Sequence, residues 1–121
     1  MKALSIRQPW AELILRGLRN EHRTTLTKIR GRVYIYACKA LGASSKEMVD
    51  INEEFGTDLD LKTVARGVLI GTVEIVDCKE LGHADYEWVM NAPMRLEPCL
   101  KPTGFPQPSF FNPFPQGQVE A

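Results

Sequence analysis

The side chains best suited to chemistry lie in two stretches near the start of the chain. In LSIRQPW, Leu4 to Trp10, an apolar run breaks off at an arginine, a glutamine, a proline and a tryptophan. If Ile6 ends a strand facing inward, Ser5 and Arg7 face the other way. Arg7 is a planar, permanently charged fork suited to phosphate. Gln8 can read a base edge through its amide. It also falls where a helix should begin, beside unpaired backbone N–H groups that favour an anion. Trp10 could stack on a base, but it equally continues the core stripe of that helix. Arg7 and Gln8 also fit a solvated rim. The second stretch, RGLRNEHRTTLTKIRGR, Arg16 to Arg32, is dense in arginine and lysine, with Glu21 as its only acid. A lone carboxylate among guanidiniums stays ionised. It can orient Arg19 and Arg23 or accept a base N–H. The alternative is a solvated basic loop. Further on, Tyr34 and Tyr36 alternate on one strand face ahead of Lys39. That pattern fits either a stacking platform for single-stranded nucleic acid or a face packed under a helix.

Other chemistries find little support. No G-x-S-x-G, Walker loop or G-x-G-x-x-G is present. Cys38, near Tyr36 and Lys39, reads as a buried, inert thiol. The three cysteines are widely spaced and odd in number, which argues for a reducing, cytoplasmic setting rather than a disulfide framework. There is no C-x-x-C pair, and His22 and His83 are far apart in sequence, so neither metal nor cofactor is expected.

The elements that must position these residues fit one domain. The chain has 121 residues, 44% of them hydrophobic, enough for one core and hardly for two. No apolar run approaches a membrane span, and the start does not read as a signal peptide. Net charge is zero, yet residues 1–40 hold nine Lys/Arg against two acids and the remainder six against thirteen. Such asymmetry suggests a cationic face and a polyanionic partner, unless the two halves simply pair with each other.

Ala3–Ile6 reads as a strand, and Pro9 opens a helix through Trp10, Leu13 and Ile14 to a stop at Gly17. RGRVYIYACKA alternates: Val33, Ile35 and Ala37 face one way, Tyr34, Tyr36 and Cys38 the other. Ser44 and Glu47 form a capping box for a helix over 45–55, with Met48, Ile51 and Phe55 as its core stripe and Gly56 as its end. GVLIGTVEIVDC is a long strand in which Gly71 marks a bulge or a close backbone approach. DYEWVMN suits a short helix ending before Pro93, and RLEPCL suits a strand. Residues 1–100 form the domain on this reading. Residues 101–121 are a Pro/Phe-rich tail that packs on the body or trails from it. The class is α+β, and a small barrel is a natural architecture.

ALSIRQPWAELILRG, the basic GLRNEHR, RGRVYIYACKA and RGVLIGTVEIVDC together resemble the ASCH domain family over about residues 2–100. The resemblance implies a fold similar to the PUA domain, a small β-barrel flanked by short helices. It also implies RNA or coactivator roles. Some members resemble amidohydrolases that deacetylate N4-acetylcytidine, and nuclease activity has been proposed for others. Gly17, Arg19, Glu21 and Arg23 match the family's cleft motif G-x-K-x-x-E-x-R with one residue fewer before the glutamate. The usual lysine is Arg19, which cannot serve as a base near neutrality. Glu21 stands at the position of the amidohydrolases' threonine nucleophile, with Thr24 displaced. Tyr36 and Cys38 stand where many relatives have histidine and serine.

The leading expectation is therefore a module binding RNA or a modified nucleotide, monomeric, with a site made of Ser5, Arg7, Gln8, Trp10, Arg19, Glu21, Arg23, Tyr36 and Lys39. The alternative is a nucleoside amidohydrolase or ribonuclease using the same cleft. Arg19 and Glu21 would then be its catalytic pair, and a base would have to come from Lys28, Lys39, His22 or Glu74. Geometrically, Arg7, Arg19, Glu21, Arg23 and Lys39 should line one concavity, with Glu21 in reach of an arginine.

Overall fold

A computed structural model gives the fold and describes residues 1–115. Eight elements follow in order: β1 (Ala3–Gln8), α1 (Trp10–Leu15), β2 (Glu21–Arg23), β3 (Gly31–Leu41), α2 (Ser45–Phe55), β4 (Val68–Gly82), β5 (Asp85–Leu100) and β6 (Phe110–Phe111). The strands form one sheet in the order β2-β5-β4-β3-β1-β6. Only β1 and β3 run parallel, and α1 and β2 lie in the connection between them.

The sheet curls into a half-barrel because its two long strands are bent. The β4–β5 pairing shifts register at four places, the first between Leu69 and Gly71, and bulges of this kind add local bend and twist. At Gly71 a Cβ would lie 2.3 Å from Leu15 Cδ1 and 2.5 Å from the Met94 carbonyl. Glycine is required there because α1 and β5 both press on the backbone. Curling brings the sheet's ends together. Trp88 of β5 stacks on Phe110 of β6 with centroids 5.7 Å apart and planes 3° off parallel. Arg23 of β2 donates from Nη2 to the Ser5 carbonyl of β1 at 2.7 Å. This is the small α+β barrel of PUA-like form that the resemblance implied.

The alternation of β3 holds on both faces. Val33, Ile35 and Ala37 join Leu4, Ile6 and the α1 residues Ala11, Ile14 and Leu15 in one core cluster. Tyr34 and Tyr36 join Ala3, Leu69 and Phe111 in a second. What covers the second face is not a helix but the segment after residue 100: Phe111 meets Tyr36 edge-to-face at 5.3 Å and Phe114 meets Tyr34 at 6.1 Å. Residues 101–115 are thus laid on the sheet, with β6 paired to β1. The last six residues of the expected tail, 116–121, lie outside the described residues.

The α2 helix begins at the Ser44–Glu47 capping box and ends at Gly56, φ +64°. The expected helix at DYEWVMN is instead the start of β5. Tyr86, Trp88 and Met90 all point into the first core cluster, a period of two; all three pair with β4, and Tyr86 and Trp88 also with β2. Pro93 does not end the element. β2 spans only Glu21–Arg23, so β5 is an open edge at Pro93 and Pro98, where a missing N–H costs no ladder bond.

Candidate functional site

The corner at LSIRQPW is built by Gln8. Its Oε1 accepts the Glu12 N–H at 2.9 Å, its Nε2 donates to the Ala65 carbonyl at 2.9 Å, and its own carbonyl accepts the Gly42 N–H at 2.8 Å. Pro9, at the N-cap, offers no side-chain acceptor, and Gln8 supplies one from the residue before. The side chain is fully buried. This corrects the expectation that Gln8 reads a base, because both ends of its amide are satisfied within the protein. Gln8 also takes up the Glu12 N–H, one of the donors at the start of α1 on which the expected anion site would draw.

Arg7, one residue earlier on the pleat, is exposed. At the other end of α1, the Gly17 N–H bonds the Ile14 carbonyl and the Leu18 N–H bonds the Leu13 carbonyl, with Gly17 at φ +74°. This is the Schellman arrangement, which needs a left-handed residue. It turns the chain back so that Arg19 lies over the Trp10 ring, 4.4 Å from its centroid. Arg19 also donates from Nε to the Asn20 carbonyl at 2.9 Å. Burial pushes its guanidinium below the ordinary value, and Glu21 and Glu54 pull the other way. Asn20 pins the turn to β5 by accepting the Met90 N–H and donating to Glu87.

Within the stretch expected to be either a site or a solvated loop, Glu21–Arg23 form a short strand, and turn and loop flank it on both sides. Glu21 is 6% exposed. Its Oε2 accepts from Arg23 Nε at 2.7 Å and its Oε1 accepts the His22 N–H at 3.2 Å. Arg23 is braced on three sides: by Glu21, by the Ser5 carbonyl, and by Trp88, whose ring centroid lies 5.3 Å from the guanidinium carbon.

These residues line one cleft of about 690 Å³, within the usual range of ligand sites. Arg7, Arg19, Glu21, Arg23 and Lys39 all reach it, as do Ser5, Trp10, His22 and Tyr36. Gln8 does not. Tyr36 reaches the cleft but is 4% exposed with Phe111 against it, so its ring has no face open to a base, a correction to the stacking platform. Cys38 also lines the cleft. Burial raises its thiol pKa, and Arg7, Arg23 and the Ser5 hydroxyl offset this only in part, so the thiolate is disfavoured. Thr24 lies outside the cleft, Glu74 is exposed on β4, and Lys28 borders a separate hollow with Arg30 and Tyr86. Of the candidate bases, only His22 and Lys39 share the cleft with Arg19 and Glu21.

One wall escaped the sequence reading. Pro106, Gln107, Pro108 and Ser109 close the cleft beside β1. Ser5 holds them, donating from Oγ to the Gln107 carbonyl at 2.6 Å and from its N–H to the Ser109 carbonyl at 2.9 Å. A proline-rich run without a period gives no sign of its partner, and nothing local marks Ser5 as that partner.

Fold and cleft together define a small PUA-like α+β domain with a cation-lined cavity between β1, β3 and the α1–β2 turn. The ASCH domain model matches residues 4–108, and the chain belongs to the ASCH domain family. Over 81 residues it is 35% identical to activating signal cointegrator 1 of Homo sapiens and 33% identical to that of Mus musculus. The matched stretch is 62% of this chain but 14% of either relative. Among the described residues, no helix is long and apolar enough to cross a membrane.

Proposed function

We propose that this domain binds single-stranded RNA or a modified nucleotide in the cleft between Arg7, Arg19, Glu21 and Lys39. One observation carries the reading. Among the described residues, the cleft's cations divide into two held by the protein and two left open to a ligand. Arg19 and Arg23 hydrogen-bond to protein oxygens and lie over tryptophan rings. Arg7 and Lys39 are exposed on adjacent strands, and their charged groups bond no protein atom. Two open cations beside a cavity of nucleotide dimensions suit phosphate. Glu21 has lone pairs left over and suits a base N–H donor. RNA roles in the family agree with this reading. A cleft thiol held protonated and an arginine in place of the usual lysine favour binding over turnover.

The test is fluorescence anisotropy with single-stranded RNA between 50 and 200 mM salt, alongside mass spectrometry of a modified-nucleoside panel incubated with the protein. Two phosphate contacts give a slope of log K against log salt of about −1.4. Binding that ignores salt, or no binding, would overturn the reading, and conversion of a panel member would replace it with an enzymatic one.

A further inference from the structure

Phe105 is 91% exposed, more than any other large hydrophobic side chain among the described residues; the next is Val49 at 67%. Here the backbone is fixed on both sides. Before it, the N–H groups of Thr103 and Gly104 both bond the Pro113 carbonyl at 2.9 Å. Gly104 packs so closely on Asn112 that a Cβ would lie 2.3 Å from the Asn112 carbonyl oxygen. After it, Pro106 has its φ set by its ring, and Ser5 anchors Gln107 and Ser109. The loop is thus a rigid mount that keeps one aromatic ring in water.

The position of the mount gives it a use. Pro106 already lines the cleft, and the α-carbons of Phe105 and Pro106 are about 3.8 Å apart across a trans peptide. Phe105 is not itself among the lining residues, but an exposed aromatic one residue beyond the wall of a cationic cleft offers a face on which an unpaired base can stack, and every base has a π-face to offer. A backbone fixed in advance leaves only the ring's own rotamers to be ordered on binding. A protein partner would require a wider apolar patch, whereas the residues next to Phe105 in the wall are two prolines and Gln107.

We infer that Phe105 is a second base-binding position, so that the ligand is a single-stranded oligonucleotide with one nucleotide in the cleft and its neighbour stacked on Phe105. The inference rests on the binding reading above and extends it from a nucleotide to a strand.

The experiment is calorimetric titration of the full chain with uridine and adenosine 5′-monophosphates and with the corresponding tetranucleotides of RNA. Three proteins are compared: wild type, Phe105→Ala and Phe105→Trp. Since the ring is in water, neither variant should alter folding, which thermal melting checks. The tetranucleotide should bind wild type about tenfold more tightly than Phe105→Ala. Phe105→Trp should retain the wild-type affinity, and the three should bind the monophosphates alike. A tetranucleotide that binds wild type and Phe105→Ala equally would overturn the second position while leaving the cleft reading standing, and would turn attention to a protein partner. Equal losses for monophosphate and tetranucleotide would overturn it too, by putting Phe105 on the cleft's own occupant. Failure of every probe to bind wild type would instead sink the cleft reading itself.

Discussion

Two buried glutamates, Glu12 on α1 and Glu21 on β2, both sit among arginines, yet the structure uses them differently. Their exposures are 8% and 6%. Glu12 faces β5, where Arg95 donates to both of its oxygens, at 3.2 and 2.5 Å, and Arg16 donates to Oε2 at 2.6 Å. Burial raises its carboxyl pKa, but the hydrogen bonds and charges of Arg95 and Arg16 outweigh that and hold it below the ordinary value. Glu21 takes one arginine N–H and one backbone N–H, and the cleft is on its open side. A carboxylate among guanidiniums is therefore not in itself the mark of a site. What separates the two is how much acceptor capacity the protein leaves unused, and whether a cavity adjoins it.

The largest expected effect falls on the Glu12 side. Arg95→Ala removes two of the three donors from a buried carboxylate. Breaking a fully buried pair costs about 3–5 kcal/mol. The Arg95 side chain keeps 40% of its exposure, so solvent screening lowers the expectation to about 2 kcal/mol, read by urea unfolding at pH 7. The effect is pH-dependent with a definite sign. A carboxyl whose folded-state pKa is depressed adds stability above its unfolded value, here 4.5, and loses it as pH falls through the folded value. Wild type should therefore lose stability faster than Glu12→Gln as pH drops from 5 toward 3. RNA affinity should stay unchanged in Arg95→Ala. If that variant lost binding as strongly as a cleft variant, the division between the two glutamates would collapse.

Arg23 comes next, because it belongs to both the fold and the cleft. Arg23→Ala leaves the Ser5 carbonyl without this donor, leaves Glu21 with only the His22 N–H, and opens one of the two braces that join the ends of the sheet. Unsatisfied buried groups of this kind cost about 1–3 kcal/mol each, and water entering at the cleft puts the expected loss near 1.5 kcal/mol. Phosphate contact alone would predict weaker binding at unchanged stability. The structure predicts both losses together, and Arg23→Lys should recover neither, since an ammonium cannot reach the two oxygens in the geometry of a guanidinium. Normal unfolding of Arg23→Ala would show that the brace is dispensable.

How far this arrangement could be read from the sequence depended on how local its causes are. The strand at 33–37, the capping box at Ser44 and the tight approach at Gly71 are written in neighbouring residues, and each stands where its pattern put it. The cleft's charged members were legible by type. Gln8 was misread because the Ala65 carbonyl that takes its amide N–H lies 57 positions on. DYEWVMN was misread because seven residues fit either period, and the β4 and β2 partners that decide for a strand are distant. β2 is three charged or polar residues with no pattern to see. The wall at 106–109 and the cover over Tyr36 come from a segment without a period, whose two-residue strand is defined only by its pairing with β1.

Glu21→Gln sharpens the contrast from the cleft side. The amide keeps the size but only one acceptor, so either Arg23 or the His22 N–H loses its partner, and unfolding should shift by about 1 kcal/mol. Binding should change with the base. A ligand that donates an N–H to the carboxylate loses a charge-assisted hydrogen bond, worth about tenfold in affinity. A ligand without that donor should be indifferent. Equal loss for all four homopolymeric RNAs would assign Glu21 to holding Arg23 rather than reading a base.

The smallest effect on the fold belongs to Arg7 and Lys39. Neither charged group has a bond to lose among the described residues, and exposed positions away from such features move stability by less than about 0.5 kcal/mol. Lys39 does have a packing role for its stem: a Cβ at Gly67 would lie 3.1 Å from Lys39 Cε and 3.2 Å from Cγ. Lys39→Met therefore keeps the stem and removes only the charge, and is the cleaner variant beside Arg7→Ala. Each should flatten the salt slope for single-stranded RNA by about 0.7, and the double variant by about 1.4, with the losses nearly the same for every sequence because phosphate carries no base identity. Gly67→Ala offers a control in which the charge is retained but the stem beneath it is crowded. It places a left-handed residue at φ +73° under strain and shifts the ammonium without removing it. It should weaken binding with little change in slope. A slope that stays put in the double variant would move the phosphate contacts to Arg19 and Arg23, the two cations the protein has already paired.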